Sequence, residues 1–322
     1  MASRTSAATT VGALARRGER LFRRAGLSYG HGTTNARDEA IYLTQHALNL
    51  PLHRFPEKRP VTAAQTSQVL AFFQQRIRQR VPASYLTHEA WLGNFRFYTD
   101  ERVIVPRSYI AELLLQDTNT VWPASNATER ALDLCTGSGC LAILMGKRFS
   151  KARIDAADIS QDALDVARIN VSRHRLTKRI TLLHSNYFQA LGKRRYDLII
   201  TNPPYVRASV MRALPQEYRR EPALALAGGD DGLDAVRIIL AQAANFLNPR
   251  GLLVVECGHA RERVERAWPR LPFLWLETSG GDDCVFVLTR DELAVPGALG
   301  GLGGRESQSA RRRTSSASSS LN

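Results

Sequence analysis

The residues best suited to chemistry in this sequence are Asn202-Pro203-Pro204-Tyr205, which directly follow the apolar run Tyr196–Thr201. This run is short and rich in β-branched residues, and it predicts a buried strand of a parallel sheet. The two prolines end the strand, because each lacks a backbone N–H and has a fixed φ. The stiff turn offers two acceptors, the Asn202 side-chain oxygen and the Pro203 carbonyl, with Tyr205 as a flat packing surface. It predicts a site that holds a planar NH2 group.

An ordinary break between a strand and a loop is the alternative interpretation of residues 202–205. The separate residue types are common at strand ends, but their combination in this order is far rarer. The carboxyl end of a strand is also where open α/β sheets bind ligands. We therefore interpret Asn202, Pro203 and Tyr205 as catalytic residues and Pro204 as a further substrate contact.

A glycine-rich stretch follows an earlier apolar run, with the sequence Asp133-Leu134-Cys135-Thr136-Gly137-Ser138-Gly139-Cys140. Its glycines allow close approach of the backbone to a ligand and lead into a helix N-terminus. Asp158, about 20 residues further on, is placed to bind ribose hydroxyls. Taken alone, this pattern fits a dinucleotide as well as S-adenosylmethionine. Residues 202–205 favour S-adenosylmethionine, because a clamp for a nitrogen nucleophile suits methyl transfer and has no role in hydride transfer.

Alternating strands and helices must position these two stretches. Strands are predicted at 131–134, 153–158, 180–183, 196–201, 252–256, 275–278 and 284–289, and helices near 108–116, 141–148, 162–173 and 233–247. The alternation predicts a doubly wound α/β fold with a parallel sheet. The last two strands predict a closing antiparallel pair. The result is a seven-stranded Rossmann-like domain whose antiparallel end is more typical of S-adenosylmethionine methyltransferases than of dehydrogenases.

Three further parts are predicted outside this sheet. Residues 10–88 carry helical patterns and predict a small all-helical substrate-recognition domain. Apolar residues on both sides of Thr99-Asp100-Glu101-Arg102 predict a β-hairpin linker at 89–106, with Val103-Ile104-Val105 in its second strand. The methyltransferase domain would cover 107–293. Residues 294–322 are rich in Gly, Ser and Arg and predict a disordered tail.

The formal net charge of +14 is concentrated at the N-terminal side. Residues 1–100 hold 14 Lys and Arg against 6 Asp and Glu. Either this basic region meets an acidic or nucleic-acid-associated partner, or it only solvates helix faces. The Arg- and Ser-rich start resembles a transit peptide, as an alternative to a first amphipathic helix. No apolar run approaches the roughly 18 residues of a membrane span, and the four cysteines lack metal-binding spacing, which is typical of reduced thiols in a cytoplasmic protein.

Together with two later stretches, these motifs resemble the Class I N(5)-glutamine methyltransferases from about Thr10 to Leu293. The later stretches are Glu221-Pro222-Ala223-Leu224-Ala225-Leu226 and Gly229-Asp230-Asp231-Gly232-Leu233. The resemblance implies methyl transfer from S-adenosylmethionine to a glutamine amide nitrogen, without a metal ion. It implies that the donor is bound by Asp133, Cys135, Thr136, Gly137, Ser138, Gly139, Asp158, Tyr187 and Asn202. Asn186 departs from the family pattern, which would place Asp there, so a carboxylate contact to the adenine amine is not expected.

Within this family, three stretches resemble the branch that acts on large-subunit ribosomal protein L-three. They are Tyr29-Gly30-His31-Gly32-Thr33, Arg102-Val103-Ile104-Val105-Pro106-Arg107-Ser108 and Cys135-Thr136-Gly137-Ser138-Gly139-Cys140. The likeness implies a ribosomal protein as partner, with ribosomal RNA nearby. The branch that acts on peptide chain release factors is the first alternative. An adenine-N6 nucleic-acid methyltransferase is the second, and the sequence that follows Glu221 argues against it.

Overall fold

The computed structural model describes residues 9–116, 122 and 128–297. It begins with four helices: α1 (Val11–Arg24), α2 (Ala36–Ala47), α3 (Ala63–Gln79) and α4 (Ala83–Thr87). Side-chain caps fix the starts of the first three, because Thr10, Asn35 and Thr62 each accept a hydrogen bond from the backbone N–H three residues on. The apolar faces of these helices share one core, in which the Phe22 and Phe73 rings meet edge to face at 5.2 Å.

A two-stranded hairpin follows, formed by β1 (Ala90–Leu92) and β2 (Phe95–Phe97). A hairpin was predicted in this region, but its predicted turn and second strand are wrong. The turn is Gly93-Asn94, and Val103-Ile104-Val105 lie in neither strand nor helix. The reason is a distant partner: the Val105 N–H donates to the Glu221 carboxylate, 116 residues away, and not to a neighbouring strand.

Seven strands form the main sheet: β3 (Arg130–Leu134), β4 (Arg153–Asp158), β5 (Ile180–His184), β6 (Tyr196–Thr201), β7 (Leu247–Glu256), β8 (Leu274–Thr278) and β9 (Gly281–Thr289). The accompanying helices are α5 (Tyr109–Leu115), α6 (Cys140–Arg148), α7 (Gln161–Arg173), α8 (Ala208–Ala213), α9 (Asp234–Ala243), α10 (Arg261–Ala267) and α11 (Arg290–Leu293). The strand order is β5-β4-β3-β6-β7-β9-β8, and β9 is antiparallel to both of its neighbours. The predicted doubly wound, seven-stranded fold with a closing antiparallel pair is confirmed.

Neighbouring residues of the central strand β6 pack into opposite layers of helices. Leu198 and Ile200 belong to the core that includes α5 and α6, whereas Ile199 belongs to the core that includes α9 and α10. Because both faces of the sheet are covered, the strand is apolar without interruption. The chain runs from β3 outwards to β4 and β5, and from β6 outwards in the other direction. A crevice therefore opens at the carboxyl ends of β3 and β6.

The structure corrects one pair of boundaries. The helix predicted at 233–247 ends at Ala243, and β7 begins at Leu247 and not at 252. Leu247 pairs with Tyr196 across the ladder, so the central strand draws this residue into the sheet. The sequence pattern did not predict α4, α8, α10 and α11, because each has seven residues or fewer and shows no full hydrophobic period.

Most of the predicted tail, residues 298–322, lies outside the described residues. Within the described ranges, none of the helices is long and apolar enough to cross a membrane. The limits of the predicted domains stay predictions.

Candidate active site

A pocket occupies the crevice at the carboxyl ends of β3, β4 and β6. It brings together most of the residues that the sequence analysis selected, which come from four separate parts of the chain. Those that line it are Cys135, Thr136, Gly137, Ser138, Asp158, Tyr187, Asn202 and Pro204. Asp133, Gly139, Pro203 and Tyr205 are adjacent in sequence but do not line the pocket.

The glycine-rich loop forms the floor of the pocket between β3 and α6. Cys135, Gly137 and Gly139 all have positive φ, of 61°, 53° and 78°, so the chain turns sharply there. A Cβ at Gly137 would meet no atom within 4 Å, so its backbone is open to a ligand. A Cβ at Gly139 would approach Ala167 of α7 at 3.1 Å, so this glycine serves helix packing.

Asp133 lies beneath this loop, and its side chain is fully buried. One carboxylate oxygen accepts hydrogen bonds from the Thr136 hydroxyl at 2.5 Å and the Ala142 N–H at 2.9 Å. Burial raises the pKa of Asp133 to about 7, against the lowering effect of these bonds. Asp133 therefore ties the loop to the start of α6. Its other oxygen, Oδ1, has no hydrogen-bond partner among the described residues, and a direct contact of Asp133 with the donor stays a prediction.

Asp158 ends β4 and faces the pocket. Its Oδ2 accepts a hydrogen bond from the Gly137 N–H at 2.8 Å, and its Oδ1 accepts one from the Ser160 N–H at 2.9 Å. Burial raises the pKa of Asp158, although both backbone bonds lower it. Each carboxylate oxygen has a second lone pair, so the group can still accept hydrogen bonds from a diol.

Asn186 and Tyr187 line the pocket from the turn after β5. Tyr187 has a positive φ of 47°, and its carbonyl accepts a hydrogen bond from the Ser185 hydroxyl at 2.6 Å. This unusual backbone conformation fixes the position of the ring. Burial raises the pKa of Tyr187 to about 12, so the phenol is neutral at physiological pH.

Asn202 follows β6 and has a defined side-chain orientation. Its Nδ2 donates to the Arg107 carbonyl at 3.4 Å. Among the described residues, neither its Oδ1 nor the Pro203 carbonyl accepts a hydrogen bond. Two acceptors are therefore available side by side, and they can together bind the two hydrogens of one NH2 group.

Tyr205 lies behind the turn and contacts a residue that sequence reasoning missed. Its hydroxyl donates to Oε1 of Glu256 at 3.3 Å, and its ring packs against Gly258, where a Cβ would come within 2.9 Å. The other oxygen of Glu256 accepts hydrogen bonds from Ser108 and the N–H of Tyr109. Burial raises the pKa of Glu256 to about 7. A carboxylate at the end of the apolar strand β7 was the available signal.

The residues 217–226 close one side of the pocket, where Pro222, Leu224 and Ala225 line it. Glu221 in this segment is buried and pairs with Arg107, whose side chain also lines the pocket. Leu224 is 59% exposed, which is unusual for a large apolar side chain. Sequence reasoning did not assign Arg107 and Glu221 to the site, because the two residues are 114 positions apart in the chain.

Outside the pocket, His259, Asp283 and Cys284 come together between the end of β7 and the start of β9. His259 Nδ1 lies 2.9 Å from Asp283 Oδ1 and 3.5 Å from Cys284 Sγ. Sequence spacing did not predict this contact. Burial raises the pKa of the Cys284 thiol to about 12, so the three groups form a hydrogen-bonded cluster around a neutral thiol.

The pocket fits a nucleoside-bearing methyl donor. Gly137 leaves room for a ligand against the backbone, Asp158 presents a carboxylate to a ribose, and Tyr187 and Leu134 supply ring and apolar contacts. Next to this half of the pocket stand the two free acceptors of the Asn202-Pro203 turn. The arrangement can hold a donor and an amide nitrogen side by side.

Comparison with known proteins gives the same picture. Residues 111–217 match the family model described as "Methyltransferase small domain". The ribosomal protein uL3 glutamine methyltransferase of Neisseria gonorrhoeae is 54% identical over 274 residues, which cover 84% of this chain and 91% of that protein. The enzyme of the same name from Bordetella pertussis is 51% identical over 270 residues, with 83% and 90% covered. A methyltransferase crystal structure from Pyrococcus furiosus is 17% identical over 60% of this chain and 88% of that one, with a TM-score of 0.42.

Proposed function

We propose that this chain, which belongs to the family of ribosomal protein uL3 glutamine methyltransferases, methylates a glutamine side-chain nitrogen of uL3. The donor is S-adenosylmethionine. The observation that carries the proposal is the free Oδ1 of Asn202 beside the free Pro203 carbonyl, next to a pocket of the right composition for the donor. The names of the relatives support the ribosomal-protein branch and not the release-factor branch.

The donor supplies an electrophilic methyl group on a sulfonium. Residues 135–139 would hold it against the loop backbone, with Asp158 at the ribose hydroxyls and Tyr187 beside the adenine. Asp133 supports this loop from below. Asn202 borders the donor and the substrate at the same time, but its acceptor oxygen is directed to the substrate, so the substrate depends on it more than the donor does.

The substrate amide would be held by Asn202 and Pro203. A glutamine nitrogen is a weak nucleophile, since its lone pair is conjugated with the carbonyl. Two acceptors on its hydrogens aim this lone pair at the methyl group and increase its electron density. Orientation of this kind supplies roughly 7–11 kcal/mol of a barrier in favourable cases. Pro204 fixes the turn, and Tyr205 supports it from behind through Glu256.

The chemistry requires no dedicated base. The nitrogen carries a positive charge directly after it takes the methyl group from the sulfonium, and this cationic amide is acidic enough to release a proton to water. His174 and His184 do not line the pocket, and their ring nitrogens contact the carbonyls of Arg96 and Ile159. Both histidines therefore have structural partners in place of a catalytic one.

The helical region 10–88 is the part that we assign to substrate recognition. It carries exposed arginines on α1, which suit a partner associated with ribosomal RNA. A ribosomal-protein substrate also favours a cytoplasmic location.

A parallel incubation tests the proposal. The protein is mixed with radiolabelled S-adenosylmethionine and with uL3, a release factor or DNA in separate reactions, and mass spectrometry then locates the methyl group. We expect label on one glutamine of uL3. Label on the release factor or on adenine, with none on uL3, would replace the proposed substrate.

A further inference from the structure

We infer that Arg107 and Glu221 are positioning residues of the methyl transfer, which hold the Asn202 amide with its oxygen directed to the substrate. The inference rests on the proposed function, because it assigns a role in the amide clamp, by which we mean the Asn202 side-chain oxygen and the Pro203 carbonyl that together hold the substrate amide. Neither residue belongs to the Asn202-Pro203-Pro204-Tyr205 turn or to the donor loop.

The side chains of Arg107 and Glu221 form a bidentate ion pair. Nη1 of Arg107 donates to Oε1 of Glu221 and Nη2 donates to Oε2, each at 2.6 Å. Glu221 is only 4% exposed, and its Oε1 also accepts the Val105 N–H at 2.9 Å. Three donors from two nearby residues thus converge on one buried carboxylate. Such planar, charge-assisted pairs fix geometry as well as supply energy.

This pair replaces secondary structure as the support for the chain at residues 105–107. These residues lie in no helix or strand, so no ladder holds their carbonyls. Glu221 instead binds the segment at two points, the Val105 N–H and the Arg107 side chain. The position of the Arg107 carbonyl is therefore set by Glu221.

The Arg107 carbonyl in turn selects one of two orientations of the Asn202 amide. The end of an asparagine side chain rotates between two states that exchange its oxygen and its NH2 group. A carbonyl only accepts hydrogen bonds, so it pairs with Nδ2 at 3.4 Å and excludes the state with Oδ1 in that place. The selected state directs the acceptor oxygen to the substrate. In the other state an NH2 group would face the substrate NH2 group, and the clamp would fail.

The ion pair also neutralises a cation at the pocket wall. The structure brings two arginines, Arg102 and Arg107, to the lining. Arg102 is paired with Asp100 through Nε and Nη2, as Arg107 is with Glu221. A sulfonium donor would be repelled by an unpaired guanidinium in the pocket lining. Glu221 thus allows an arginine to support the clamp without an excess positive charge.

The test is a double-mutant cycle on the single-turnover rate. Arg107→Lys keeps the positive charge but loses the bidentate geometry, and Glu221→Gln keeps the shape of the side chain but loses its negative charge. We expect each variant to lower the rate about tenfold to a hundredfold, because misplacement of a positioning group costs up to that scale. The donor dissociation constant and the substrate KM should stay within about twofold. In an Asn202→Ala background, Arg107→Lys should cost little more, since both residues act through the same amide.

A matched control is available at the amino ends of the parallel strands, opposite the pocket. Arg130 begins β3, and its Nη2 lies 3.5 Å from Asp155 Oδ2. Arg130→Lys makes the same chemical change at an arginine–carboxylate contact far from the pocket, and it should leave the rate unchanged. A wild-type rate in Arg107→Lys, or an equal loss with and without Asn202, would overturn the inference.

The substrate in these measurements is the one that the wild-type protein methylates in the parallel incubation. Label on a release factor would count against uL3 and leave the Arg107 comparison intact. A crystal structure of Arg107→Lys gives a second readout that needs no substrate. We expect the Asn202 amide to leave its place against the carbonyl at position 107, and an unmoved amide would contradict the inference.

Discussion

At the scale of single residues, the acceptor oxygen of Asn202 makes the sharpest prediction. Asn202→Ala removes this oxygen and leaves Asp158 and the glycine loop in place. We expect the single-turnover rate of methyl transfer to fall by about 10²–10³, the scale found when one preorganised polar group is lost from a reacting centre. Rapid-quench kinetics measure the rate, and calorimetry should show donor affinity within about twofold of wild type. An alanine variant as fast as wild type would contradict the clamp.

Asn202→Asp separates the two halves of the same amide. From the sequence alone, a carboxylate should retain more activity than alanine, because it keeps an acceptor. The structure changes this expectation, since Nδ2 of Asn202 donates to the Arg107 carbonyl and a carboxylate oxygen cannot. Two acceptors would then repel each other, so we expect Asn202→Asp to lose about as much activity as alanine. Activity near that of asparagine would show that the contact with Arg107 has no role.

The sequence was sufficient to predict site residues that directly follow a strand. The donor loop, Asp158 and Asn202 each come directly after an apolar run, and parallel strands bring their carboxyl ends to one edge. The sequence was not sufficient to predict site residues whose partners are distant in the chain. Nothing near Glu221 in sequence indicates that it binds Arg107, 114 positions earlier. Asp133 is the opposite case, because its position next to the loop in sequence does not indicate that its side chain is buried beneath the loop.

At the scale of elements, hydrophobic pattern predicted the sheet well and the hairpin poorly. The strands β4 and β6 match their predicted limits, since covered strands have sharp apolar boundaries. The run Val103-Ile104-Val105 has the same pattern, yet a buried carboxylate satisfies its backbone in place of a strand. Apolar pattern reports burial, and only the partner of the backbone decides between strand and coil.

The segment 217–226 makes a prediction about acid stability through Glu221. Burial alone would raise the pKa of Glu221, but the hydrogen bonds and charge of Arg107, with His31 Nε2 3.6 Å from the carboxylate, lower it from 4.5 to about 2. A lowered pKa in the folded state contributes stability that is present above pH 4.5 and is lost as pH falls towards 2. The contribution is at most about 3 kcal/mol on the scale of 1.36 kcal/mol for each pKa unit.

Urea unfolding at a series of pH values measures this contribution. Glu221→Gln should be less stable than wild type at neutral pH, and the difference in the free energy of unfolding should shrink between pH 4.5 and 2. Glu19→Gln is the control, since it removes a carboxylate from the surface pair of Glu19 with Arg23. A difference between Glu221→Gln and wild type that stays constant with pH would show that Glu221 is not held ionised by its partners.

Leu224 in the same segment makes a prediction about substrate binding. It lines the pocket with 59% of its surface exposed, so it offers apolar area that a bound polypeptide can cover. We expect Leu224→Ser to raise the KM for uL3 several-fold without a change in the donor dissociation constant. Leu274→Ser, at a site 56% exposed on β8 outside the pocket, is the matched control. An equal effect of both substitutions would show that Leu224 has no specific contact.

At the scale of the whole molecule, a buried ionic network joins the helical region to the wall of the pocket. Arg76 of α3 is fully buried and donates to Glu39 at 2.8 Å and to Glu217 at 3.3 Å. Arg80 donates to the same Glu217 oxygen at 3.1 Å. Removal of residues 1–88 would take these partners from Glu217 and expose to water the surface that they cover. A deletion of residues 1–88 would therefore change both substrate recognition and protein stability. A test of recognition alone must keep this ionic network intact.

Charge removal on the exposed face of α1 is such a test. Arg17, Arg20 and Arg24 are exposed and lie away from the Arg76 network, so a triple substitution by Gln leaves the buried ion pairs intact. If this face steers uL3 and its RNA, the KM for uL3 should rise at low salt, and the difference from wild type should fade as added salt screens the charges. A triple substitution of Lys193, Arg195 and Arg250 by Gln removes the same charge from exposed sites at the amino ends of β6 and β7. Steady-state kinetics across a salt series compares the two variants. Equal KM values for both would mean that net charge alone, and not the helical region, attracts the substrate.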